Sequence, residues 1–254
     1  MGLTPDQSVD SMDTAFSIVF VDFHLSKLMA VNPLIESELL REIAPYTLSG
    51  YQLFRDIVEI DGAIPAKFKT LFVAVAAINK GYTDVASRAL SIAQELGLTK
   101  KEAISGLILL SSLRGEGAAL AYQGVISQVY PRDPQSPVAD YEHQVVAPGE
   151  AEADFRKYFG TIPDPLRKML DLSPKGADAY YLMRKGTIYC NTIEPKYAEL
   201  CLVAVLASDY SPMVARHIGA ARAVQATDAE LVEAILCSVP SAGIAAVMAA
   251  AAHL

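Results

Sequence analysis

His217 and Glu199 are the two residues of this chain whose types and placement could do acid–base chemistry. His217 sits in ARHIGAARA, a helical stretch beside Arg216 that continues through the small residues Gly219, Ala220 and Ala221. A histidine with a carboxylate nearby can take and give protons near neutral pH. Glu199 lies on the preceding apolar helix, KYAELCLVAVLAS. Two antiparallel helices joined by a short turn would bring Glu199 and His217 together. The plainer alternative is a buried or interfacial histidine held by one hydrogen bond. Arg216 could grip a carboxylate through two parallel hydrogen bonds, or form a surface or interfacial ion pair. It projects about 100° from His217 on a helix, so the two need not face one cavity. Tyr210 and Ser211, in the turn between the two helices, are candidates for contact with a small ligand; a structural role suits Tyr210 equally.

Other chemistries find little support. His24, His143 and His253 stand alone in apolar, linker and terminal contexts, and no HxxxH or HxxE cluster occurs, so no metal is expected. There is no GxGxxG or nucleotide-binding glycine loop and no GxSxG nucleophile elbow. Cys190, Cys201 and Cys237 form no CxxC, which argues against a disulfide framework and fits a reducing compartment.

The elements that must position these residues read as helices throughout. Expected segments are Ala15–Val31, closed by Asn32-Pro33, then Ile35–Ile43, Ser49–Ile60, Ala66–Ile78 and Thr83–Leu96. Thr99 and Glu102 form a capping box that starts a helix running to about Arg114. Gly115 and Gly117 precede a helix over Ala118–Val129. Prolines 131, 134, 137 and 148 mark a linker. Further helical segments are Glu150–Tyr158, Pro163–Leu170 and Gly176–Arg184. No alternating strand pattern is found. The fold class is therefore all-α, a helical bundle.

The chain also repeats itself. IPAKFKTLFVAV at 64–75 matches IEPKYAELCLVAV at 193–205, and LGLTKKEAISGLIL at 96–109 matches VQATDAELVEAILC at 224–237. Lys67 pairs with Lys196, Phe68 with Tyr197, Tyr82 with Tyr210, Arg88 with Arg216 and Gly115 with Gly243, with one gap in the intervening turn. The reading is two tandem repeats related by a pseudo-two-fold. Residues 1–130 hold a diverged N-terminal repeat with an extension, 131–149 the linker and 150–254 the C-terminal repeat. The first copy has Thr70 in place of Glu199 and Ala89 in place of His217, so acid–base chemistry belongs to the second.

Composition bounds the partners. A net charge of −8, a pI near 5.0 and no cluster of Lys or Arg exclude the usual nucleic-acid-binding face. The chain is 52% hydrophobic but has no apolar run of about 18 residues, so no membrane span is expected. The start is neither basic nor followed by a cleavage site, and a cytoplasmic protein is the expectation.

KYAELCLVAVLASDYSPMVARHIGAARAVQATDAELVEAIL resembles the carboxymuconolactone decarboxylase / alkylhydroperoxidase-D-like superfamily. The resemblance rests on Glu199-Leu200 in an apolar helix, on His217 followed by small residues, and on Thr227-x-x-Glu230 opening the next helix. The peroxidase branch works through a CxxC; the matching turn here reads Tyr210-Ser-Pro-Met213, so a thiol peroxidase is not expected. The decarboxylase branch implies His217 as proton donor and acceptor, Glu199 as its partner and an arginine such as Arg216 as carboxylate anchor. It implies no cofactor, a small carboxylated lactone-like substrate and a homo-oligomer. The competing reading is a non-catalytic oligomeric binding or scaffold protein with a degenerate site.

Overall fold

The computed structural model describes residues 34–131 and 140–254, which fall into two compact units, one ending at Gln52 and one spanning Leu53–Leu254. Every regular element among them is helical. The expected helix at Ala15–Val31 and part of the proline-rich linker lie outside the described residues. The first unit carries a 3-10 turn, Leu34–Glu36, and α1, Glu38–Ile43, capped by the Ser37 side chain. Helix α2, Pro45–Glu59, begins four residues before its predicted start and crosses the division between the units. Proline at its first position costs no hydrogen bond there.

In the second unit, α3 (Ala66–Asn79) and α10 (Pro195–Ser208) are the central helices. Both are apolar all round, and a helix of that kind has to be enclosed by others. Both are, with Leu71, Phe72, Leu200 and Val203 fully buried. Around α3 lie α4 (Thr83–Glu95), α5 (Lys100–Leu113) and α6 (Glu116–Val129). Around α10 lie α11 (Val214–Ala223), α12 (Asp228–Leu236), the short α13 (Val239–Ala242) and α14 (Ile244–Ala251). One apolar core runs through both sets. Three more helices, α7 (Glu150–Phe159), α8 (Asp164–Leu172) and α9 (Pro174–Ile188), enclose a smaller core around Phe155, Ala177 and Tyr181. None of the described helices is long and apolar enough to cross a membrane.

Positions paired by the internal match behave alike. Thr99 with Glu102 and Thr227 with Glu230 each close a full capping box. Each capping glutamate also meets a lysine from its own set, Lys67 at 2.6 Å and Lys196 at 2.7 Å. The backbone turns left-handed at Gly81 and Tyr210, at Gly97 and Gln225, and at Gly115 and Gly243. The first of these pairs moves the sequence gap. Gly81 N–H bonds Ile78 O and Tyr210 N–H bonds Ala207 O, so Tyr210 corresponds to Gly81 rather than to Tyr82.

Candidate active site

The α10–α11 turn is tight, and Tyr210 accepts a positive φ of 54° to make it, a conformation that costs a non-glycine residue energy. Its hydroxyl donates to Ala242 O at 2.7 Å, which ties the turn to α13. The turn folds α11 back along α10, and the two helices pack on each other. Glu199, one turn into α10, is thereby set against His217, one turn into α11. Glu199 Oε2 lies 2.7 Å from His217 Nδ1. The glutamate side chain is only 2% exposed and the imidazole 16%. An ionised carboxylate only accepts hydrogen bonds, so it selects the tautomer with hydrogen on Nδ1 and leaves Nε2 as the free ring nitrogen.

His217 is not sealed in the core. It lines a cavity of about 170 Å3 together with Arg216, Arg184, Tyr158, Tyr180 and the apolar side chains of α9 and α10. Glu199 borders a wider cavity of about 510 Å3, whose far side is formed by Lys157, Tyr189, Gly219 and Ala220. Tyr158, Ile188 and Arg216 border both cavities.

The two arginines of the smaller cavity differ in availability. Arg184 is 6% exposed and ion-paired to Asp154 on α7, and its guanidinium lies 3.6 Å above the Tyr158 ring. Burial pulls its pKa down, but Tyr189, Asp154 and Tyr158 outweigh that and hold it above the usual value. It is a fixed, compensated cation. Arg216 is exposed, rests over the Phe159 ring at 5.0 Å and has no carboxylate partner among the described residues. Tyr158 is a lasting hydrogen-bond donor: burial, and after it the charge of Glu199, push its pKa up to about 12.

His217, Glu199 and Arg216 thus come to one place. Although adjacent on the helix, Arg216 and His217 do border the same cavity, whose opposite lining includes Tyr158 and Phe159 of α7 and Tyr180 and Arg184 of α9. Tyr210 and Ser211 go elsewhere, to a small pocket shared with Ala249 and His253. Tyr158, Tyr180 and Arg184, which sequence reasoning passed over, stand beside His217 instead. Their only signal in the sequence is the group of aromatic residues on either side of Arg184, at 180, 181 and 189, with a further pair at 158 and 159. Cys201 and Cys237 are buried, and burial drives both thiols far above their usual pKa. No three His, Cys, Asp or Glu side chains converge among the described residues as a bound metal would need.

The model of the carboxymuconolactone decarboxylase family matches residues 174–254, the segment from α9 through α14 that contains Glu199, Arg184 and His217. Among solved structures, a provisionally assigned gamma-carboxymuconolactone decarboxylase subunit from Burkholderia xenovorans shares the fold. Its TM-score is 0.59 at 21% identity, over 92% of this chain and 94% of that one. No curated protein matches the sequence significantly. The chain shares its all-helical fold with that solved structure, and its C-terminal segment, residues 174–254, is similar to the carboxymuconolactone decarboxylase family.

Proposed function

We propose that this protein is a cofactor-independent acid–base enzyme acting on a small carboxylated, lactone-like metabolite. The step would be a decarboxylation or a related lyase, isomerase or hydrolase reaction. The observation that carries the reading is the Glu199–His217 pair at 2.7 Å, whose histidine borders a cavity together with Arg216, a guanidinium with no carboxylate partner among the described residues. In this reading Arg216 holds a substrate carboxylate. The free nitrogen of His217 removes or delivers the proton, and Glu199 stabilises the imidazolium formed on the way. Tyr158 stays protonated and can donate to a developing oxyanion. The likeness of the C-terminal segment to the decarboxylase family supports the same reaction class. Self-association belongs to the proposal as well, supported by Ile244 and Met248, which stand 54% and 71% exposed on α14.

The test is turnover of a panel of carboxylated lactones by wild type, His217→Ala and Arg216→Gln. The expected result is a fall of about a hundred- to ten-thousand-fold for His217→Ala, the range for a lost general acid–base. Arg216→Gln should act chiefly on KM. Turnover unchanged in His217→Ala would remove the assigned role.

A further inference from the structure

We propose that the site takes a monocarboxylate with a single compact ring, the ring seated in the smaller cavity and the carboxylate on Arg216. The inference rests on the acid–base reading above and narrows its substrate. Size is the first argument. The cavity measures about 170 Å3. Apolar cavities of about 150 Å3 take up benzene, so one six-membered ring fits and two do not.

The walls are the second argument. Leu202 and Leu206 from α10, Ile188 from α9, Leu113 from α5 and Phe159 from α7 all border it. Leu202, Leu206 and Ile188 are at most 7% exposed. A charged or strongly polar group placed against these side chains would lose its water and gain no partner.

Charge is the third argument. Two guanidinium groups border the cavity, which at first sight suits a dicarboxylate. Asp154 already neutralises Arg184, and the Tyr158 ring covers one face of that guanidinium. A second carboxylate arriving there would compete with a buried ion pair and bring an uncompensated charge. One cation is left, Arg216, which is exposed and also borders the wider cavity. A ligand with an apolar ring and one anionic head suits these apolar walls and this one cation. The pairing with Arg216 stabilises the carboxylate as an ion, so the fitting step is a proton transfer within the ring that keeps that carboxylate.

The experiment is calorimetric titration of the full chain with benzoate, cyclohexanecarboxylate, benzamide, acetate and succinate. Both ring carboxylates should bind at least about tenfold tighter than acetate or succinate, the scale set by hydrophobic groups in a fitted pocket. Arg216→Gln should erase the preference for benzoate over benzamide. Leu113→Trp, at a half-buried wall position, should erase the preference for rings. Should that variant fail to fold, contacts between benzoate ring protons and the methyl groups of Leu113, Ile188 and Leu202 in nuclear magnetic resonance give the same answer on wild type. Succinate binding as tightly as benzoate, or ring protons far from those methyl groups, would overturn the inference. Binding is read without turnover, so the two readings fail separately. Benzoate held by a chain that turns over no substrate sinks the acid–base reading alone. Turnover of a dicarboxylic lactone by a chain that ignores benzoate sinks this one alone.

Discussion

Phe68 and Tyr197, which the internal sequence match pairs, stack on each other with ring centroids 4.2 Å apart. At the other end of the same two helices Asn79 donates to Ser208 at 3.2 Å, and Lys80 comes within 3.8 Å of Asp209. These too are equivalent positions. When equivalent residues meet at both ends of a helix pair, the helices run side by side in one direction, as a two-fold axis along their length would set them. The centre of the molecule can therefore be symmetric while the chemistry is not. Thr70, in the place of Glu199, turns its hydroxyl back to Ala66 O and Lys67 O, and Ala89 stands in the place of His217.

The Glu199–His217 pair predicts an inversion in stability. Removing the imidazole leaves a carboxylate that is 2% exposed without its partner. Breaking a buried pair in this way costs about 3 kcal/mol. His217→Ala should therefore destabilise by about that amount, and the double variant Glu199→Gln/His217→Ala by less, because the buried charge has gone. Urea denaturation of the three proteins measures it. A double variant less stable than His217→Ala would show that Glu199 is held by something other than the histidine.

The paired lysines and capping glutamates predict a response to acid. Burial pushes the Glu102 and Glu230 carboxyls up, but Lys67, Lys196 and the capping hydrogen bonds outweigh it and hold both below their usual 4.5. A folded-state pKa below the unfolded one contributes stability that is present above about pH 4.5 and is lost as pH falls through the folded value. The melting temperature should drop steeply below that pH. In Lys67→Met/Lys196→Met it should start lower and drop less steeply. An equal slope in both proteins would mean that other carboxylates govern acid unfolding.

The thiols separate cleanly by position. Cys190 is exposed, whereas Cys201 and Cys237 are buried and their thiolates are strongly disfavoured. A disulfide reagent should titrate one fast thiol per native chain and all three in denaturant. Cys201→Ser should leave any enzymatic turnover intact if it folds. Two or three fast thiols in the native protein would contradict the packing described here.

How much was legible in the sequence depends on the range of the contacts. The capping boxes are local patterns: both mark a helix start, and the helix that Thr99 opens ends within a residue of its expected Arg114. Glu199 and His217 were legible because a short turn forces their two helices together. Arg184 and Tyr158 were not, because they reach the cavity of His217 only through packing of α7 on α9 and of α9 on α10, and neither periodicity nor spacing encodes such distant partners. Of the two roles the sequence left open for Tyr210, the structure displays the structural one, in the left-handed turn and the bond to the Ala242 carbonyl, and it sets the side chain apart from the cavity that His217 lines.

Tyr122 on α6 supplies a last test, of the packing around α3. Its side chain is completely buried, and its hydroxyl has no hydrogen-bond partner among the described residues. The ring lies hard against Gly106 on α5, where an added Cβ would meet Tyr122 Cε1 at 2.6 Å, so the phenol has no room to swing towards one. A buried hydroxyl without a partner costs about 1–3 kcal/mol. Tyr122→Phe keeps the ring and its packing and deletes only the orphaned oxygen. It should leave stability unchanged or raise it by up to about 2 kcal/mol, in contrast to the usual cost of a core substitution. Gly106→Ala, which forces the same ring aside, should cost about 1–3 kcal/mol. Chemical denaturation of both variants reads the two signs. A Tyr122→Phe variant destabilised by more than 1 kcal/mol would show that the hydroxyl has a partner after all.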